Sequence, residues 1–382
     1  MKPRTLRVVT KKRVGLLARV LQLSVIFVSV VFAMNASATT LVVGNCKSSG
    51  YPTIQQAINA APVGATVQVC PGSYLEQVVI SRSVTLQGIT ANNGDNVYID
   101  APLGGLVVNA TDLFGDPVVA QVLVTEAGGP VNISNLSVLG EDFTTQGVLF
   151  AGIYYQNSPG TINGVIVESQ SGNQLAIGIF LEGGASSPSV TVQNSWLSDI
   201  DYAAIDFETI GRPSTALTAK ITNNFVFLDN SNKPAGIQFG SGTTATVTGN
   251  SVLGSGGGDT GILIAPGATG SVSGNSVTST SNGIQTNADG ILVTSNKLSK
   301  NGVGIDLGTS IGGVKSNIII DAGLNGIEFR CNKNPNVLSN VINGAYGTGA
   351  VTGVGLSDVP LALNTSTNKV FNAQIVRTGG CS

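Results

Sequence analysis

ITNNFV (Ile221–Val226), VTGNSV (Val247–Val252), VSGNSV (Val272–Val277), VTSNKL (Val293–Leu298), VKSNII (Val314–Ile319) and VLSNVI (Val337–Ile342) are six copies of one pattern, apolar-x-x-Asn-x-apolar. Their asparagines, Asn224, Asn250, Asn275, Asn296, Asn317 and Asn340, fall 26, 25, 21, 21 and 23 residues apart. A second marker keeps the same beat: Gly-Ile or Ala-Ile, with isoleucines at Ile153, Ile179, Ile205, Ile237, Ile262, Ile284, Ile305 and Ile327. A fixed period of this length, built from short β-branched runs, signals a solenoid, because one unit cannot bury its apolar face until the next stacks on it. The spacing predicts one coil of a parallel β-helix per repeat. Each asparagine stands beside a turn, where its amide bonds local backbone, and stacking in register predicts a ladder of amides along the axis.

The same repeat sorts side chains by face. Two residues after each isoleucine stand Tyr155, Leu181, Phe207, Phe239, Ile264, Thr286, Leu307 and Phe329, apolar in seven of eight coils. Side chains alternate along a strand, so the isoleucine and this position face inward together. The positions one and three residues after it therefore face outward. The first outward column reads Tyr154, Phe180, Asp206, Gln238, Leu263, Gln285, Asp306 and Glu328; the second reads Gln156, Glu182, Glu208, Gly240, Ala265, Asn287, Gly308 and Arg330.

Composition agrees with an ordered, repetitive chain. Glycine supplies 50 of 382 residues without a Gly-X-Y period, and hydrophobic residues reach 42%, which excludes collagen and disorder. Residues 1–38 read as a signal peptide: seven basic residues, an apolar run LQLSVIFVSVVFA, then Ala36-Ser37-Ala38. Export is the expectation, to the periplasm, the cell surface or the medium. All 21 acidic residues but only 12 of the 19 basic ones lie beyond residue 38, a balance of −9. That disfavours nucleic acid and anionic membranes as partners. It also requires a bridging cation for any polyanionic substrate. Four cysteines in an exported chain predict disulfides; three pairings are possible. Cys46 with Cys70 and Cys331 with Cys381 is the economical one, because each pair would staple one end of the solenoid.

Thr53 with Gln56 fits a capping box, and Ile54, Ala57, Ile58 and Ala61 follow at helical spacing until Pro62 and Gly64. A short helix here would plug the open end of the stack. Strands are expected at 66–70, 77–80, 84–87 and 97–100, with a turn at Pro71-Gly72-Ser73. The run TIQQAINAAPVGATVQVCPGSYLEQVVISRSVTLQG (Thr53–Gly88) resembles the opening of the pectin-lyase-like superfamily, and the Gly-Ile and Asn repeats resemble its short β-helix repeats. The resemblance implies a single-stranded, right-handed parallel β-helix over residues 39–382, with a capping α-helix at 53–61 and a last rung and C-terminal cap at 343–382. It does not choose a function, since that superfamily holds lyases, hydrolases, esterases and adhesins. Between the cap and the regular repeats, the acid-bearing loops 112–117 and 141–146 could wall one side of a groove, and are read here as solvated turns.

Histidine is absent from the sequence, which removes Ser-His-Asp and Cys-His catalysis and histidine-held metals. Carboxylate pairs, arginine or lysine bases and oxygen-liganded calcium remain. With adjacent rungs about 4.8 Å apart, Glu182, Asp206 and Glu208 become near neighbours on one outward patch. Asp199 and Asp201 precede it and Arg212 follows. Asp206, Glu208 and Arg212 are the candidate catalytic residues, with Arg212 as base in a lyase. Asp199, Asp201, Asp206 and Glu208 are the candidate Ca²⁺ ligands. Glu182, Gln238, Gln285, Asp306, Glu328 and Arg330 are candidate substrate-binding residues along the outward columns. Such a ladder of Asp, Glu and Gln suits a polysaccharide laid across successive rungs. The expected function is therefore a secreted carbohydrate-binding or carbohydrate-active protein, monomeric, acting as a calcium-assisted lyase or a carboxylate-pair glycoside hydrolase. The alternative is a non-catalytic surface or adhesive β-helix whose acids only solubilise it.

Overall fold

The computed structural model describes residues 39–382 except 48–49, 90–95, 144, 146, 173–174, 210–215, 230–231, 233, 309–311, 331–335, 346–353, 361–365 and 379–382. The leader at 1–38, Arg212, Cys331 and Cys381 therefore lie outside the described residues.

Among the described residues the strands form three long sheets of 12, 12 and 13 strands. Successive strands pass from sheet to sheet, so that one coil contributes one strand to each. A typical coil is Thr243–Thr248 in the first sheet, Ser251–Leu253 in the second and Thr260–Ile264 in the third. Each strand pairs in parallel with its counterparts one coil above and below. One antiparallel addition, Ala110–Thr111 on Pro117–Thr125, lies at the front of the third sheet. No helix among the described residues is long and apolar enough to cross a membrane.

The Gly-Ile strands build the third sheet, and their isoleucines are Cα partners from coil to coil. All eight are fully buried in the axial core. The ring at the following inward position stacks likewise, Phe207 on Phe239 with centroids 5.0 Å apart. Glycine precedes isoleucine for a steric reason: a Cβ on Gly261 would lie 2.6 Å from the carbonyl oxygen of Gly283, and one on Gly283 2.5 Å from that of Gly304.

The asparagines form a continuous ladder. In each coil the backbone N–H and the side-chain amide of one asparagine both donate to the Oδ1 of the next, at 2.9–3.0 Å from Asn224 to Asn340. The remaining amide hydrogen goes to a backbone carbonyl one coil back, as from Asn275 to Val247 at 3.0 Å. The residue before each asparagine turns the corner in the left-handed region, for example Gly249 at φ 68° and Ser295 at φ 57°. The ladder runs beyond the six repeats in both directions. Ser195 donates its N–H to Asn224, and Asn340 donates to Asn368.

At the front, the helix Ile54–Ala60 packs Ile54, Ala57 and Ile58 into the core. Thr53 Oγ1 accepts from the Gln56 N–H at 3.1 Å, and the Glu76 carboxylate accepts from Ile54 and Gln55 N–H at 2.7 and 3.0 Å. A disulfide joins Cys46 to Cys70 beside it. Pro71-Gly72-Ser73 departs from the expected turn: Gly72–Leu75 is a strand and opens the second sheet.

Candidate active site on the outer face of the third sheet

The outward column of the third sheet is in register over its length: Leu123, Tyr154, Phe180, Asp206, Gln238, Leu263, Gln285, Asp306 and Glu328 are successive Cα partners. Beside it, Thr125, Gln156, Glu182 and Glu208 form the second column. The register thus brings Glu182, Asp206, Glu208 and Gln238 together.

Exposure corrects the sequence reading. Glu182, Asp206 and Asp306 are 1%, 3% and 0% exposed, so these outward acids are not a solvated patch. The cause at the front is a cover. Residues 101–117 fold over the outer face, held by Gln77 to Val107 at 2.8 Å, Asn109 to Ala120 at 2.8 Å and Gln156 to Thr111 at 2.5 Å. Beneath lies an apolar cluster separate from the axial core: Val118, Ala120, Leu123, Ala151, Tyr154, Ile177 and Phe180. The 112–117 loop is therefore a wall beside the acids rather than a free turn. Glu141 in the other loop likewise accepts from the Leu106 N–H of the cover at 3.2 Å.

Glu182 sits where cover and sheet meet. Its carboxylate accepts from the Leu113 N–H at 2.6 Å and from the Tyr154 hydroxyl. Burial outweighs both bonds and pushes its pKa up to about 7 from 4.5. Asp206 is raised as well: burial first, then the neighbouring Glu208 charge, lift it well above the ordinary range, against the Phe207 backbone. Its Oδ2 accepts from Gln238 Nε2 at 3.3 Å, and that amide also reaches the Tyr202 hydroxyl at 3.2 Å. Its Oδ1 is buried without a partner. Glu208 is half-buried and raised by burial and then by Asp112. Asp112 itself caps its turn by accepting from the Phe114 and Asp116 N–H groups. Asp112, Tyr154 and Tyr202 join the predicted residues here. The signal for a covered face was present as the near-continuous apolar runs VVAQVLV and LFAGIYY, which do not alternate apolar with polar.

Asp199 and Asp201 belong elsewhere. Asp199 lies within the second-sheet strand Trp196–Ile200, its N–H donating to Asp229 at 3.0 Å and its pKa raised by burial and then by Asp229. Asp201 accepts from the Gly172 N–H at 2.8 Å. Among the described residues no three acidic or cysteine side chains are grouped to hold a metal. Asp199 and Asp201 thus lie across the corner between the second and third sheets from Asp206 and Glu208. The second predicted group does assemble: Arg330 pairs with Asp306 at 2.7 Å and Glu328 at 3.5 Å, one coil beyond Gln285. It lies four rungs from Asp206, roughly 19 Å at ~4.8 Å per rung.

The Beta_helix family, described as a right handed beta helix region, matches residues 178–370, half of the chain. The chain belongs to this family. It is similar in fold to the GH136 lacto-N-biosidase of Eubacterium ramulus, with a TM-score of 0.60 and 12% identity over 88% of this chain and 68% of that one. It is similar to the DFA-IIIase of Arthrobacter chlorophenolicus A6, at 0.52 and 15% over 88% and 94%. The A-module of the mannuronan C-5 epimerase AlgE4 of Azotobacter vinelandii gives 0.51 and 15% over 86% and 93%. At these identities the likeness is one of fold. No curated protein matches the sequence.

A carboxyl bound more tightly to its proton in the folded than in the unfolded state stabilises fully below its unfolded pKa and loses that contribution as pH rises through the folded one. For Glu182 the window is about pH 4.5 to 7. Glu182→Gln is expected to flatten the fall in melting temperature across that window; thermal melts of both proteins at half-unit pH steps check it. An unchanged slope would show that Glu182 titrates normally.

Proposed function

We propose that this is a carbohydrate-active β-helix protein that hydrolyses a glycosidic bond with a carboxylate pair on the outer face of the third sheet. The observation that carries this reading is Asp206: buried, raised well above the ordinary carboxyl range, and with one oxygen lacking a partner. A carboxyl kept protonated by its surroundings is a general acid in waiting, and a neighbour less shifted is its base. Asp206 gives its proton to the glycosidic oxygen as that bond to the anomeric carbon breaks. Glu208 takes a proton from the water that bonds to the same carbon. The polar column through Gln238, Gln285 and the Asp306–Arg330 pair supplies contacts for further sugar units. Exported action is supported by the Cys46–Cys70 bond.

The substrate class follows from charge. Asp112, Glu182, Asp206 and Glu208 crowd the site, and no lysine or arginine among the described residues pairs with them. A uronate polymer would find no cation among them to pair with its carboxylates, so the ligand is a neutral glycan. The test is product analysis on neutral and uronate polysaccharides. New reducing ends from a neutral glycan, without unsaturated product, are expected. Unsaturated product from a uronate polymer would instead establish the lyase with Arg212 as base. No turnover on either class would leave a non-catalytic β-helix.

A further inference from the structure

The outer face of the second sheet carries a feature that the acid cluster does not use. Ile166, Trp196, Phe225 and Ser251 are successive Cα partners on that face. Trp196 is 43% and Ile166 38% exposed, large areas for apolar side chains on a sheet. The Trp196 and Phe225 rings stack with centroids 4.2 Å apart and planes at 20°. Beyond Phe225 the outward positions shrink to Ser251 and Ser276, so the ledge ends in a step down to small polar side chains.

The ledge has a polar rim. Trp196 Nε1–H donates to Ser198 Oγ at 3.2 Å, and the Ser198 hydroxyl donates to Glu168 Oε1 at 3.1 Å, which fixes the indole upright and lines its edge with oxygens. At the Ile166 end the face sinks into a depression of about 170 Å³ lined by Asn96, Asn135, Ser137 and Ile166 among others. The depression exists because Ser137 stands in register between Tyr98 and Ile166.

We infer that this face is a second carbohydrate-binding surface, which takes a neutral sugar with its C–H face on the Trp196–Phe225 ledge and its hydroxyls on the rim and the depression. Aromatic rings with a polar edge recognise ligands that are themselves apolar on one face and hydroxylated around it. The charge at the rim is the Glu168 carboxylate, which disfavours acidic glycans and nucleic acid. A protein partner is disfavoured by size: one row of three apolar side chains, two of them exposed and Phe225 half-buried, falls far short of the ~800 Å² per partner of a stable interface. This surface lies on a different sheet from Asp206, and the inference does not depend on whether that cluster cleaves a bond.

Trp196 is the chain's single tryptophan, so indole fluorescence reports this face alone. The intact protein is titrated with a β-glucan, an α-glucan, a xylan and a galactomannan. At least one is expected to shift the emission to the blue and to protect it from acrylamide, equally in wild type and in Asp206→Asn. In affinity gels with that glycan, Trp196→Ala and Phe225→Ala are each expected to lose binding by about tenfold while melting as wild type. Emission and quenching unmoved by all four glycans would overturn the inference. So would either folded variant binding like wild type. A concentration-dependent dimer broken by Trp196→Ala, without a glycan response, would assign the face to a second copy and overturn it as well.

Discussion

Asp206→Asn is expected to lower turnover on a neutral glycan by about 10²–10⁴-fold, the usual range for a positioned general acid. The fold is expected to survive, because the amide is isosteric and removes a buried group that resists ionisation. Its melting temperature at neutral pH is expected to equal or exceed that of wild type, since the substitution abolishes the pull toward ionisation that burial opposes. Glu208→Gln is expected to lose activity comparably, whereas Asp199→Asn, on the second-sheet side, leaves it unchanged. The split between Asp206 and Asp199 is diagnostic. If both variants lost activity alike, the assignment of the site to the third sheet would be wrong. Initial rates and thermal melts on the same preparations read both quantities.

The second large effect concerns the ladder. Asn275 accepts from the Asn250 N–H and amide and donates to Val247 O and Asn296 Oδ1, all within the buried turn column. Asn275→Ala leaves two buried donors on Asn250 without acceptors, each worth ~1–3 kcal/mol, for a loss of about 3 kcal/mol in all. Lys297, next to Asn296 in the following coil and exposed, offers a control: Lys297→Ala is expected to change stability by less than about 0.5 kcal/mol. Chemical denaturation of both variants separates them. Equal midpoints would mean that the amide column is incidental to the turn.

Most of the fold was legible in the sequence because the repeat exposes it. The Gly-Ile beat marked the third sheet, since at Gly261 and Gly283 a Cβ before the isoleucine has no room between coils. The Asn beat marked the ladder but stopped at Asn340, because Thr365 replaces the apolar residue that opens the pattern before Asn368. The candidate site was legible by register and misread by exposure. Alternation tells which way Glu182 and Asp206 point, but not whether something lies on top of them. The cover at 101–117 carries no repeat, and its hold on the sheet runs through single side chains such as Gln77, Asn109 and Gln156. Asp199 and Asp201 were grouped with Asp206 by proximity in sequence, although a corner between the second and third sheets separates them.

The account rests on Asp206 remaining a protonated carboxylic acid near neutral pH. The infrared difference spectrum between wild type and Asp206→Asn at pH 7 measures this directly. The predicted result is a protonated-carboxyl C=O stretch in wild type that the variant lacks. A difference spectrum at pH 7 showing only the carboxylate bands of an ionised Asp206 would contradict it.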